Sequence, residues 1–238
     1  MRLDGGDWRR LSRLPLLSPR QWRRRLVFWL GAALVGLAAI GFAALADAAQ
    51  HLFQRAAAGG PWLGFLLAPA GLGLSVWLTR RFFPGAQGSG IPQVIAALRL
   101  EETARMGRVL SPRIAAGKVL MTLLGLASGA SIGREGPTVQ VGASIMHALG
   151  GLQRLPRPEM ERALVLAGGA AGVAAAFNTP LAGLVFAIEE LAHGVKVHAG
   201  SSTLAAVVIA GGTAIALVGN YAYFGAGPAQ LAIGPAWI

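Results

Sequence analysis

The chain has 238 residues, of which 54% are apolar and only 13% are charged, and its mean hydropathy is +0.56. A soluble domain carries about 25% charged residues, so the composition excludes a soluble enzyme core, and the high apolar content excludes a disordered chain. The net charge of +11 would favour a nucleic-acid partner in a soluble protein. The sequence instead predicts an all-α, polytopic membrane protein that binds no nucleic acid, and the absence of cysteine excludes disulfides and thiolate metal sites.

The N-terminal segment 1–25 is strongly basic and carries eight of the 21 Lys and Arg residues. Basic residues that flank membrane helices mark the cytoplasmic side, so we interpret this segment as cytoplasmic and facing anionic lipid. The apolar run that follows is longer than the apolar part of a signal peptide, and it predicts a first membrane helix.

Two kinds of apolar run alternate along the chain. A helix needs about 20 apolar residues to cross a bilayer, whereas a run of about 10 to 14 is typical of a re-entrant or broken helix. The predicted spanning runs are 26–45, 62–78, 114–132, 163–177 and 203–218. The shorter runs each begin with proline near the first helical turn, and they are 92–100, 137–149 and 180–191. Glycines spaced by four residues predict close helix packing, at Gly125, Gly129 and Gly133 and at Gly168 and Gly172.

The basic residues also predict an orientation. With the N-terminus in the cytoplasm, fifteen basic residues fall on inner segments and four on outer ones. This bias predicts a cytoplasmic N-terminus in a multi-pass protein, and we expect a bacterial inner membrane. The four residues expected outside are Arg55, Arg154, Arg157 and Arg162.

The segment Gly88–Ser89–Gly90–Ile91–Pro92 precedes the first short helix. The start of a helix exposes unpaired N–H groups and a partial positive charge, and glycine lets the backbone approach a ligand closely. Ser89 is therefore either an N-cap of its own helix or a ligand of an anion at a broken helix.

The segment GREGPTVQ at 133–140 lies between two apolar helices, so Glu135 is expected near membrane depth, where an ionisable group is usually functional. A carboxylate at a helix start occupies a place where an anion would also be stable. The two would compete, and protonation of Glu135 would end the competition. The alternative is a structural ion pair between Arg134 and Glu135 that caps the helix.

The third proline-started helix ends in Glu189 and Glu190. Acidic residues at a helix C-terminus oppose the helix dipole, which favours a functional reason for their presence. The alternative is a solvated helix end.

Taken together and in this order, GSGIP at 88–92, GREGPTVQVG at 133–142 and NTPLAGLVFAIEE at 178–190 resemble the CLC family of chloride channels and chloride/proton antiporters. The resemblance extends from about residue 25 to 221 and implies the first half of an inverted-repeat fold with tilted and broken helices. It divides the chain into the basic segment 1–25, a half-repeat at 26–220, and a loop at 221–238 that would lead into a second half.

The resemblance also implies roles for particular residues. Glu135 would be the external gate that takes the proton, and Glu190 the internal proton-transfer group, which favours an antiporter over a passive channel. Lys118 would support the site, although a lysine that snorkels to the cytoplasm is the alternative. The anion site would comprise Ser89, Gly90, Ile91, Gly133, Arg134, Glu135 and Gly136.

Chloride, the proton and the lipid bilayer are the expected partners, with no cofactor, no metal and no enzymatic activity. The resemblance further implies a homodimer through residues 180–218 and a missing or separately encoded second half, since a tyrosine of that half is not matched by Tyr221 or Tyr223. A further departure is that Gln93 and Ile95 stand where some exchangers have acidic residues. The alternatives are a passive channel, a split half without transport activity that acts as a partner subunit, and a non-transporting scaffold.

Overall fold

The computed structural model describes residues 19–100, 102–152, 158–193 and 200–219, and these contain helices and no strand. The segments 1–18 and 220–238, and with them Tyr221 and Tyr223, lie outside the described residues. The helices are α1 (Pro19–Ala57), α2 (Pro61–Phe82), α3 (Ile91–Arg99), a 3-10 helix (Thr103–Arg108), α4 (Pro112–Ala127), α5 (Glu135–Leu152), α6 (Pro158–Phe177), α7 (Pro180–Phe186), a π-helical turn (Ala187–Leu191) and α8 (Ser201–Val218). The all-α prediction is confirmed.

Five segments are long and apolar enough to cross a membrane, by length and composition, and each overlaps one of the five predicted spanning runs. Of these, α2 is the least covered by protein: Trp62 is 77% exposed and Phe65 75% exposed. Apolar surface of this extent requires a partner of low polarity, which a bilayer provides. The five segments are Arg25–Ala57, Trp62–Phe82, Arg105–Ala127, Pro158–Phe177 and Ser201–Val218.

The end of α4 differs from the sequence prediction. The apolar run was expected to stay helical to residue 132, but α4 ends at Ala127, and Gly129 follows with φ of 88°. A glycine in this left-handed conformation is a common helix terminator. Gly125, Gly129 and Gly133 therefore do not form one helical stripe, because Gly129 and Gly133 lie beyond the end of α4. Close packing is nevertheless found at Gly129, where a Cβ atom would collide with the ring of Phe53 on α1.

The core is built around α6, which packs against α5 through small residues. A Cβ atom built on Gly172 would lie 2.7 Å from the carbonyl oxygen of Thr138, and one built on Gly168 would meet the backbone of Gly142. The predicted close packing at Gly168 and Gly172 is confirmed. These contacts fix α5, and with it Glu135, against the most buried helix.

The structure corrects the predicted side of Arg162. Its guanidinium Nη2 donates a hydrogen bond of 2.7 Å to the carbonyl of Leu100, at the end of α3 beside Arg99. Arg162 therefore lies on the side of the bundle that was predicted to be cytoplasmic, because α5 runs alongside α3 and carries the chain back to that side. Arg154 and Arg157 lie outside the described residues.

Candidate functional site

The starts of α3 and α5 meet in the structure. A Cβ atom built on Gly90 would lie 2.7 Å from the carbonyl oxygen of Gly136, and one built on Gly136 would lie 2.9 Å from the carbonyl oxygen of Ser89. Only residues without a side chain allow the two backbones to approach this closely. Two motifs that are far apart in the sequence therefore form one cluster, where two helix starts present partial positive charge.

The turn that precedes α3 leaves the Ser89 side chain exposed. Gly88 and Gly90 have φ of 69° and 110°, in the region that favours glycine. The N-cap of α3 is Gly90, and no side chain caps the helix. The N-cap interpretation of Ser89 is therefore wrong, while Gly90 is buried beside it and Ile91 is half-buried as the first residue of α3.

Lys118 of α4 is hydrogen-bonded to this turn. The residue is only 2% exposed, and its Nζ donates hydrogen bonds to the carbonyls of Gln87 at 3.2 Å and Gly88 at 2.9 Å. A buried charge is costly unless it is hydrogen-bonded, and here two carbonyls satisfy it. Lys118 does not snorkel, so that alternative is wrong. Gln93 adds a third bond to the turn, from its Nε2 to the Gln87 carbonyl at 2.6 Å.

Arg134 and Glu135 point to different neighbours. Arg134 Nη1 donates to Asp47 Oδ1 at 3.0 Å and to the carbonyl of Ala43 at 3.1 Å, so the guanidinium is held by α1. The half-buried Glu135 side chain folds back over Gly133, where a Cβ atom would collide with the carboxylate. Gly133 thus leaves the space that the Glu135 carboxylate occupies.

Glu190 is not part of this cluster. It lies exposed on the π-helical turn, next to the exposed Glu189, and the turn is closed by a bond of 2.8 Å from the Ala192 N–H to the Ala187 carbonyl. The neighbouring Leu191 is buried in an apolar cluster that also contains Val94 of α3. Single π-helical turns often mark functional positions, although the apolar core separates this one from the Ser89 turn.

Two neighbours of the cluster were not singled out from the sequence, namely Asp47 on α1 and Gln140 on α5. Gln140 is fully buried and donates to the carbonyls of Gly85 and Val109, each at 2.9 Å. A glutamine inside an apolar helix is a signal in itself, since a buried amide requires partners. Asp47 gave no comparable signal, because it stands near the polar end of a long helix.

An all-α membrane bundle in which helices start against each other inside the protein is typical of transporters with broken helices. A family model described as "Voltage gated chloride channel" matches residues 70–237. The chain belongs to this family, the CLC family, and is an integral, multi-pass membrane protein.

Named relatives and solved structures agree with this membership. The H(+)/Cl(−) exchange transporter ClcA of Cronobacter sakazakii is 41% identical over 169 residues, which cover 68% of this chain and 35% of that protein. The ClcA of Vibrio cholerae is 41% identical over 131 residues, covering 55% of this chain and 27% of that protein.

Among solved structures, a slow cyanobacterial Cl−/H+ antiporter superposes with a TM-score of 0.71 at 29% identity, covering 84% of this chain and 48% of that one. A CLC-type fluoride/proton antiporter superposes with a TM-score of 0.67 at 25% identity, with the same shares covered. The chain therefore spans about a third of these curated relatives and about half of these structures.

Proposed function

We propose that this chain forms one half of the anion pathway of a chloride/proton antiporter. The observation that carries the proposal is the meeting of two helix starts at the Ser89–Gly90 turn and Gly136. Helix starts stabilise anions through their unpaired N–H groups and the helix dipole. The exchange activity in the names of the relatives supports chloride and the proton as the transported ions.

In the proposed site, chloride contacts the Ser89 hydroxyl and the N–H groups at the starts of both helices. The α3 start supplies Gly90 and Ile91, and the α5 start supplies the backbone from Gly133 to Gly136. Arg134 contributes by its backbone, since its guanidinium is engaged by Asp47. The side chain serves to anchor the start of α5 to α1.

Glu135 is the proposed gate. Its carboxylate lies at the helix start that would also hold chloride, so the ionised carboxylate and the anion compete for the same N–H groups. Protonation neutralises the carboxylate, so chloride can bind these N–H groups in its place. Anion movement is thereby linked to one proton. Glu190, exposed on the π-helical turn, is the proposed inner proton acceptor.

The second half of the pathway is proposed to come from another polypeptide segment, because the chain spans about half of the antiporter structures. We define the completed transporter as this chain together with that second half. Exposed apolar residues on α7, the π-helical turn and α8, namely Leu181, Ile188 and Val208, support a homodimer contact through 180–218. The proposed location is a bacterial inner membrane, with the N-terminus in the cytoplasm.

Proton and chloride fluxes measured in liposomes test the proposal. The samples are the chain alone and the chain co-expressed with the second half of the C. sakazakii exchanger. We expect a chloride gradient to drive proton movement in the completed transporter. Glu135→Gln should abolish proton movement while chloride flux continues, and Glu190→Gln should weaken proton movement without closing the anion path.

Three other outcomes would revise the proposal. Chloride flux without proton movement in the unmodified, completed transporter would identify a passive channel. Coupled flux from the chain alone would contradict the need for a second half. Well-inserted protein that neither carries nor binds chloride in any combination would support a scaffold or a silent partner subunit, and the proposal would be abandoned.

A further inference from the structure

Gln140 joins three separate segments of the chain. Its Nε2 donates to the carbonyl of Gly85, in the connection between α2 and α3, and to the carbonyl of Val109, just after the 3-10 helix. Both bonds are 2.9 Å long, and the residue itself is 0% exposed. One side chain on α5 is thereby hydrogen-bonded to two non-helical connections.

The two connections also touch each other where Gln140 holds them. Gly85 has φ of 113°, and a Cβ atom there would lie 2.9 Å from the carbonyl oxygen of Arg108. The contact leaves no room for the loop to slide past the end of the 3-10 helix. The position of the loop that carries Ser89 is therefore set relative to α5 by the Gln140 amide.

The other end of the amide faces the start of α3. A Cβ atom built on Gly90 would lie 3.3 Å from Gln140 Oε1, and this buried oxygen has no hydrogen-bond partner within the described part of the chain. The orientation of the amide follows from its neighbours, because a flipped group would set its oxygen against two carbonyls. The donors face the loop, and the acceptor faces Gly90.

We propose that Gln140 is a positioning residue that sets the separation between the Ser89–Gly90 turn and the start of α5, and through it the anion selectivity of the site. The inference rests on the proposed function of that site. Selectivity between anions depends on the number and spacing of the groups that replace the hydration shell. A turn released from α5 could adapt to larger anions, and preference for chloride would fall.

The test compares binding of chloride and nitrate to the completed transporter by isothermal titration. Gln140→Met keeps the length of the side chain and removes both donors, whereas Gln140→Asn keeps the amide and withdraws it from the loop. The matched control is Ser144→Ala, one turn further along α5, where the hydroxyl is equally buried and makes no hydrogen bond to the described residues.

We expect the ratio of chloride to nitrate affinity to fall by about threefold to tenfold in Gln140→Met, as the loss of buried hydrogen bonds predicts. In Gln140→Asn the ratio should fall by a smaller factor, and in Ser144→Ala the ratio should equal that of the unmodified protein. A ratio of affinities does not change with the amount of folded protein, so a purely structural defect would not produce this pattern.

The measurements distinguish a wrong inference about Gln140 from a folding defect and from a wrong proposed function. If either Gln140 variant elutes as a folded protein and keeps the unmodified ratio, the inference is overturned while the proposed function stands. If Gln140→Met does not fold, the ratio in Gln140→Asn decides. If the unmodified, completed transporter binds neither anion, the proposed function itself fails.

Discussion

Lys118 is a buried cation whose hydrogen bonds go to the carbonyls of Gln87 and Gly88. No carboxylate among the described residues pairs with this ammonium group, which lies next to the turn that carries Ser89. An uncompensated charge in a medium of low dielectric acts over a longer range than in water. Lys118 therefore both holds the turn and favours an anion in front of it.

We predict that Lys118→Met weakens chloride binding about tenfold, equivalent to about 1.4 kcal/mol, with little change in the free energy of unfolding. Methionine fills a similar volume and removes the cost of burying the charge. The two carbonyls that lose the ammonium belong to Gln87 and Gly88, which are exposed residues and are not left buried. Isothermal titration with chloride and thermal unfolding in detergent measure the two effects.

Thr122→Val is the control for this prediction, since Thr122 lies one turn further along α4 and its hydroxyl bonds to the Lys118 carbonyl at 2.8 Å. It should leave chloride binding unchanged. Equal chloride affinity in Lys118→Met and the unmodified protein would limit Lys118 to a role in packing.

At this scale, the sequence identified the residues within the motifs but not their contacts. Ser89 and Glu135 could be singled out from their residue types at predicted helix starts, whereas Lys118 could be singled out only because the motifs resemble a known family. Three sets of contacts depend on how distant segments pack: the bonds from Lys118 to its carbonyl partners, the pairing of Arg134 with Asp47, and the hydrogen bonds of Gln140 to two connections. No local pattern of residues encodes contacts between segments 30 to 90 positions apart.

At the scale of elements, the contact between α5 and α6 depends on two glycines facing each other. A Cβ atom on Gly142 would meet the backbone of Gly168 and lie 3.0 Å from a methyl group of Val35. We predict that Gly142→Ala destabilises the protein by about 1 to 3 kcal/mol, as overpacking of a tight core does. Thermal unfolding in detergent measures the change.

Gly151→Ala, in the same helix, is the matched control because a Cβ atom there would meet nothing within 4 Å. Alanine favours the helix over glycine by about 1 kcal/mol, so this variant should be as stable as the unmodified protein or more stable. A Gly142→Ala variant with an unchanged melting temperature would show that α5 and α6 can separate without cost.

The existence and type of the helices followed from the lengths of the apolar runs, but their ends did not. Hydropathy records which residues prefer lipid, and residues 128–132, which are uncharged and continue the predicted run, are not helical. The backbone at Gly129 ends α4 there by adopting a conformation that hydropathy does not report. The proline-started helices were located more closely, because Pro92, Pro137 and Pro180 each fall within the first helical turn or at its start.

At the scale of the whole molecule, the orientation remains a prediction from the distribution of basic residues. The position of Arg162 beside Leu100 adds one more basic residue to the side predicted to be cytoplasmic, which strengthens the bias. Arg162 was assigned to the outer side because the sequence does not show on which side of the bundle α5 ends.

Labelling with a membrane-impermeant thiol reagent tests this orientation, and the cysteine-free sequence gives no background. Ala58→Cys, in the exposed turn between α1 and α2, should react in intact cells. Arg108→Cys, exposed at the end of the 3-10 helix, should react only after the cells are opened. The reverse pattern would place the N-terminus outside.

The central claim is that the starts of α3 and α5 together hold one anion. Bromide is a close substitute for chloride and is located directly by its anomalous scattering, so the most direct measurement is a crystal structure of the completed transporter in bromide. We predict an anomalous peak within hydrogen-bonding distance of the Ser89 hydroxyl and the N–H groups beside Gly90, and we expect this peak to remain in Glu135→Gln. Ordered bromide elsewhere in the membrane region, with none between Ser89 and Gly136, would contradict it.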